Sequence, residues 1–148
     1  MGAAHRRFRI VVGVDASAGA HAALKWAADE AIIRDGELIV VHAMDPAATT
    51  RAPYAPVPSD LDTARELAVR EVDKVVTMVL AQADNLPAER RYVVDLPARA
   101  LASACVDADL LVVGADEKGG SVGAGVTPRA CLQNTICPTI VVPSSSRT

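Results

Sequence analysis

Aromatic side chains are scarce in this chain of 148 residues, with one Trp, one Phe and two Tyr. A core must therefore be assembled from aliphatic and small residues, and hydrophobic residues make up 51% of the sequence. Basic residues are not in excess: fifteen Lys and Arg stand against eighteen Asp and Glu, and no long basic run offers a seat for a polyanion. Duplex nucleic acid and an anionic membrane are accordingly not expected as partners. No apolar run approaches the ~20 residues that cross a bilayer; Ile39 to Val41 and Leu110 to Val113 are typical. Met1 to Arg6 is basic but leads into no apolar segment, so no signal peptide is expected, and Arg6 stands where a myristoylation signal needs Ser or Thr. Cys105, Cys131 and Cys137 show neither C-x-x-C spacing nor a nearby His-x-x-x-His. That pattern points to buried free thiols in a reducing cytoplasm, with no metal or disulfide.

Short runs rich in β-branched residues alternate with longer helical patterns, the arrangement of βαβ units on a parallel sheet. The runs are Arg9 to Val14, Glu37 to Ala43, Arg90 to Asp95, Leu110 to Gly114 and Thr139 to Val142. Their near-continuous Val, Ile and Leu content suits strands covered on both faces. Ala20 to Ile33 reads as an Ala- and Leu-rich helix stopped by Asp35-Gly36. Ser59-Asp60-Leu61-Asp62 reads as an N-cap with an acidic first turn. It opens a long helix whose apolar stripe is Leu61, Ala64, Ala68, Val72, Val75 and Val79. A shorter helix is expected over Ala98 to Val106, with Pro97 in its first turn, and another from Thr127-Pro128 to about Asn134. Asp45 to Pro58, rich in proline, and Ala115 to Val126, rich in glycine, read as surface loops. No repeat or shift of composition marks a second domain, so one domain over residues 1–148 is expected, with an ordered core of about 8–143.

In an open parallel sheet, ligands bind outside the carboxyl ends of the strands, where strand order reverses. The residues that follow the strands are therefore the candidates: Val14-Asp15-Ala16-Ser17, Ala43-Met44-Asp45, and Gly114 onward. No catalytic triad is legible, because Ser17 and Ser121 lie in no nucleophile elbow and have no identifiable His partner. His42, on an apolar strand, reads as a packed and hydrogen-bonded core residue; His21 falls on a helix and His5 on a tail. The glycine-rich segment is no Walker A loop, since no Gly-Lys-Ser/Thr ends it.

Five stretches together resemble the universal stress protein family: Ile10-Val11-Val12-Gly13-Val14-Asp15-Ala16-Ser17, Ala22-Ala23-Leu24-Lys25-Trp26-Ala27, Leu38-Ile39-Val40-Val41-His42-Ala43, Asp107-Ala108-Asp109-Leu110-Leu111-Val112-Val113-Gly114, and Cys137-Pro138-Thr139-Ile140-Val141-Val142-Pro143. The resemblance covers nearly the whole chain. It implies an adenine-nucleotide α-hydrolase-like α/β fold, a five-stranded parallel sheet in the order 3-2-1-4-5 with helices on both faces. It also implies a homodimer formed through the last strand, Thr139 to Val142. Nucleotide-binding members of the family hold ATP with a first-strand Asp, a main-chain contact after the second strand, and a loop of pattern G-x-x-G followed nine residues later by G-S/T. Asp15, beside Val14, matches the acid; Ala43 falls at the main-chain contact; Gly114 matches the first glycine.

The match then departs from the family pattern. Glu117 replaces the second glycine, Thr127 the third, and Pro128 the phosphate-binding Ser or Thr. Glu117 adds a Cβ and a negative charge beside the expected polyanion, and Pro128 lacks both a hydroxyl and an N–H to donate. Thr127-Pro128 is at the same time a good helix start without any ligand, an N-cap followed by a first-turn proline. Lys118 and Arg129 supply positive charge nearby. Asp15 likewise has two readings, a ligand-binding acid or the cap of the turn that follows its strand.

The sequence thus favours a cytoplasmic, non-enzymatic stress-protein-like homodimer with weakened or lost ATP binding, acting through contacts with a regulatory protein partner. The alternative is an adenine-nucleotide sensor for ATP, AMP or cyclic AMP, hydrolysing slowly at most. Its pocket would be Val14, Asp15, Ala43, Gly114, Lys118, Thr127 and Arg129.

Overall fold

The computed structural model describes residues 6–15, 17–44, 46, 61–115, 133 and 135–144. Five strands and three longer helices follow in the order β1 (Arg9–Gly13), α1 (Ala18–Ile33), β2 (Glu37–Met44), α2 (Leu61–Leu80), β3 (Ala88–Val94), α3 (Pro97–Ala104), β4 (Leu110–Gly114) and β5 (Thr139–Val142). A 3-10 turn over Cys105–Asp107 links α3 to β4. All strand pairs are parallel, in the order β3-β2-β1-β4-β5, as expected. Both expected long loops, the helix start at Ser59-Asp60 and the helix from Thr127 lie outside the described residues, save Pro46, Ala115 and Gln133, the last of which is helical.

Strand alternation divides the core into two layers. Ile10, Val12, Val14, Leu38, Val40, Leu110 and Val112 face α1 and α2. Val11, Ile39, Val41, Leu111 and Val113 face the opposite side with Ala100 and Leu101 of α3 and with Cys105 and Cys137. Both cysteines are buried free thiols. With so few aromatics, close approach takes the place of bulk. α1 buries Gly19, Ala20, Ala23, Leu24, Ala27, Ala28 and Ala31, so its backbone sits near the sheet.

Two local expectations need correction. α1 begins at Ala18, not Ala20, because the Ser17 hydroxyl accepts from Ala20 N at 3.2 Å and caps the helix. At its other end the helix stops at Asp35-Gly36 as expected, with Asp35 in the left-handed conformation at φ 50°. The bonds Asp35 N to Ile32 O and Gly36 N to Ala31 O close a Schellman motif. Gly36 is needed for space, since a Cβ there would stand 2.3 Å from Phe8 O. In α2 the buried stripe is Val72, Val76 and Val79, whereas Ala68 is exposed and Val75 only half-buried. The spacing i, i+4, i+7 is kept, and among the side chains whose burial is described those on the core fall in the C-terminal half of the helix; Leu61 and Ala64 of the expected stripe lie outside that description.

Strand limits also shift by a residue or two. β2 runs on to Met44 and β3 spans Ala88–Val94 where 90–95 was expected, while β1 stops at Gly13, one short of Val14. α3 opens with Pro97 as its first residue, and its expected last turn tightens into the 3-10 segment.

Charged contacts tie the strand starts together. The Asp109 carboxylate accepts from Arg9 N at 2.8 Å and pairs with Arg6 at 2.9 Å. The Arg9 N–H bond, followed by the Arg6 guanidinium, holds the Asp109 carboxyl below its ordinary value near 3.8. A depressed carboxyl stabilises the fold fully above that ordinary value, and the contribution is lost as pH falls through the lower folded value. Asp109→Asn is therefore expected to flatten the decline of stability between about pH 5 and pH 2, followed by urea unfolding at each pH. An unchanged slope would rule this contribution out. On the far edge, the Tyr92 hydroxyl and Arg90 both bond Asp73 and lower its pKa, pinning α2 to β3.

Candidate functional site

β1 lies between β2 and β4, and the chain leaves it toward β2 and returns to the other side as β4. This reversal of order opens a crevice over the strand ends. Register places the candidate residues at one height there. Val12 pairs with Val112 and Gly13 with Val41, so Val14, Gly114 and the His42-Ala43 segment stand side by side.

Each is held by local geometry. Val14 is buried, and its N–H donates to Val41 O at 2.9 Å. Asp15 is exposed, and its Oδ1 accepts from Ser17 N at 2.8 Å in an Asx turn that precedes the helix cap. Asp15 therefore does cap the turn; its Oδ2 meets no donor among the described residues. At the end of β4, a Cβ on Gly114 would lie 2.4 Å from Gly19 C and O, and one on Gly19 would lie 2.7 Å from Ala115 O. The two glycines let the first turn of α1 rest directly on the strand end. Gly114 thus has a packing reason that is independent of any phosphate.

His42 is buried, 7% exposed, and its Nδ1 lies 2.8 Å from Val14 O. A carbonyl only accepts, so Nδ1 carries the hydrogen. Nε2 is buried with no partner among the described residues, and Tyr92 meets the ring edge-on at 6.3 Å between centroids. His42 is the packed, hydrogen-bonded core residue expected of it. Its grip on Val14 was not foreseen, and the N-cap role of Ser17 was missed although Asp15-x-Ser17 ahead of an Ala-rich helix is a usable signal.

Val14, Asp15, Ala43 and Gly114 are brought together. Lys118, Thr127 and Arg129, with Glu117 and Pro128, lie outside the described residues. What the described part offers chemically is a carboxylate, half-buried main chain at two strand ends, and an apolar floor.

An open parallel sheet in this order, with a crevice over the central strand ends, defines a doubly wound α/β protein. The model of the universal stress protein family matches residues 7–143. The chain belongs to that family. It is 31% identical over 140 residues to a universal stress protein of Mycolicibacterium smegmatis, covering 91% of this chain and 48% of the relative. It thus spans about half the length of the curated relatives it matches. A universal stress protein solved in complex with cAMP is 25% identical, with a TM-score of 0.64 over 95% of this chain and 99% of that one. The universal stress protein from Archaeoglobus fulgidus in complex with dAMP shares the fold at 24% identity, with a TM-score of 0.63 over 91% of this chain and 97% of that one.

Proposed function

We propose that the chain is a non-enzymatic, cytoplasmic stress-response homodimer whose crevice takes an adenine mono- or cyclic nucleotide and holds ATP weakly. One observation carries this reading: the exposed Asp15 carboxylate and the main chain at Ala43 stand together at the ends of β1 and β2. Asp15 Oδ2 suits ribose hydroxyls, while Oδ1 is already engaged with Ser17 N. The Gly114 end of β4 borders the same crevice. On the phosphate side, Glu117 adds negative charge and Pro128 withholds two donors, which disfavours a triphosphate. Lys118 and Arg129 provide charge enough for a single phosphate. The relatives solved with cAMP and dAMP support this preference.

Absence of enzymatic activity is supported by the use to which the nucleophile and base candidates are put. Ser17 caps α1, and His42 is buried against the Val14 carbonyl. For the dimer, support comes from β5, an edge strand with Val141 exposed beside Ile136, which is 80% exposed. Such edges aggregate unless paired or covered; Pro138 and Pro143 limit the length of any pairing. The buried thiols of Cys105 and Cys137 suit a reducing compartment.

Calorimetric titration tests the nucleotide reading. Micromolar binding of AMP or cyclic AMP is expected, with Mg-ATP at least tenfold weaker and all binding lost in Asp15→Ala. Silence of the wild type toward all three up to millimolar concentration would overturn it and leave protein contacts as the function. Sedimentation velocity should give twice the 15.4 kDa chain mass; a monomer overturns the dimer.

A further inference from the structure

We propose that His42 is a positioning residue that keeps the Ala43 main chain open to the hydrogen-bonding edge of a purine. In what it says of the ligand this rests on the nucleotide reading above; in what it says of the backbone it does not.

The inference comes from a missing rung. In a parallel pair, alternate residues of one strand exchange both N–H and C=O with the neighbour. Odd-numbered residues of β2 face β1, as Glu37 N to Phe8 O at 2.8 Å and Val14 N to Val41 O at 2.9 Å establish. The next bond in that series is Ala43 N to Val14 O. It is not made, and the β1–β2 pairing stops at Gly13 with Val41. On its other side β2 continues undisturbed, pairing with β3 as far as Met44 with Val94, and Asp95 N still reaches Met44 O at 3.1 Å. The break is therefore confined to the side facing the crevice.

What stands in the place of the rung is the imidazole. Val14 O accepts from His42 Nδ1 at 2.8 Å. The ring is buried, with Tyr92 against its edge, so it holds one orientation. The ladder ends one rung early where His42 engages the Val14 carbonyl, and Ala43 N–H has no acceptor among the described residues. A half-buried N–H without a partner is unfavourable until a ligand or water takes it. N–H and C=O of one strand residue point the same way, and Ala43 C=O also meets no donor among the described residues. A donor beside an acceptor complements a ring nitrogen flanked by an exocyclic amine, the pattern of an adenine edge. Asp15, two residues beyond Gly13 on the adjoining chain, stands near enough in sequence to address the sugar of the same ligand.

The test reads the backbone and the ligand separately, in the full chain labelled for NMR. In the wild type, the Ala43 amide is expected to exchange at least tenfold faster than that of Val41, with no through-hydrogen-bond coupling from Ala43 N to the Val14 carbonyl. His42→Phe keeps a ring and removes the donor; Ala43 should then become protected and show that coupling, and affinity for cyclic AMP should fall about tenfold, the loss of one ordinary hydrogen bond. His42→Asn, whose side-chain amide places an N–H near the position of Nδ1, should restore both. A coupled, protected Ala43 in the wild type overturns the proposal without need of any variant, even if His42→Phe fails to fold. So does a folded His42→Phe that binds as the wild type binds. If the wild type binds no cyclic AMP, the nucleotide reading falls alone, and Ala43 exchange in His42→Phe still supports or overturns the positioning role.

Discussion

Gly114→Ala is expected to destabilise the protein by about 3 kcal/mol or more, at the upper end of what overpacking costs. The added Cβ would meet Gly19 C and O at 2.4 Å and Ala20 N at 2.9 Å, all backbone atoms that have no rotamer to change. Nor can α1 retreat, because its row of alanines from Ala20 to Ala31 packs against the sheet along the whole helix. Gly13→Ala is the matched control. There the new Cβ would lie 2.9 Å from Leu101 Cδ1, the mobile tip of a side chain, and a cost under about 1.5 kcal/mol is expected. Urea unfolding should place the Gly114→Ala midpoint lower by more than about 1 M with an unchanged m-value. If the two substitutions cost the same, the interlocking of Gly19 and Gly114 is not what holds the first turn of α1. The contrast also bears on the site, since a glycine required by packing is no sign of a phosphate.

The second large effect concerns ligand choice. Glu117→Gly combined with Pro128→Ser should raise affinity for Mg-ATP by roughly a hundredfold, about 2.7 kcal/mol. Two hydrogen bonds to a charged phosphate chain supply that much, each contributing about 1.5–3 kcal/mol, and removal of a like charge adds to them. Affinity for cyclic AMP should change less than threefold, because in the proposed reading its base and sugar are addressed by Ala43 and Asp15. Pro128→Ala, which restores the N–H but not the hydroxyl, should fall between. Competition titration of Mg-ATP against cyclic AMP measures the ratio directly. A double variant with the ATP affinity of the wild type would show that Glu117 and Pro128 do not set the preference.

Much of this molecule is legible in its residues. Hydrophobic runs of period-independent Val, Ile and Leu mark strands covered on both faces, and β4 and β5 were located to the residue. The stripe on α2 was less well read. Its spacing is compatible with both Val75 and Val76, and the packing of the helix on the sheet buries Val76 and leaves Ala68 in solvent. At the C-terminus of α1 the sequence marks Asp35-Gly36 as the stop but not the part each plays; the structure uses Gly36 for space beside Phe8 O and puts Asp35 in the left-handed conformation.

The same division holds at the candidate site. Asp15, Ala43 and Gly114 were recognisable from the local pattern of a strand followed by a turn, because strand ends and turn formers are properties of neighbouring residues. Two further facts depend on partners far along the chain: that Gly114 abuts Gly19 and that His42 Nδ1 engages the Val14 carbonyl. The order of residues by itself determined the βαβ alternation, the two-sided burial of β1, β2 and β4 and the chemical types at the strand ends, whereas β3 and β5, expected to be covered likewise, are only half-buried or exposed because they lie at the sheet edges. Only the tertiary structure decided which backbone groups are engaged and which stand open, because hydrogen-bond register between strands is settled when both strands, and the side chains between them, are in place.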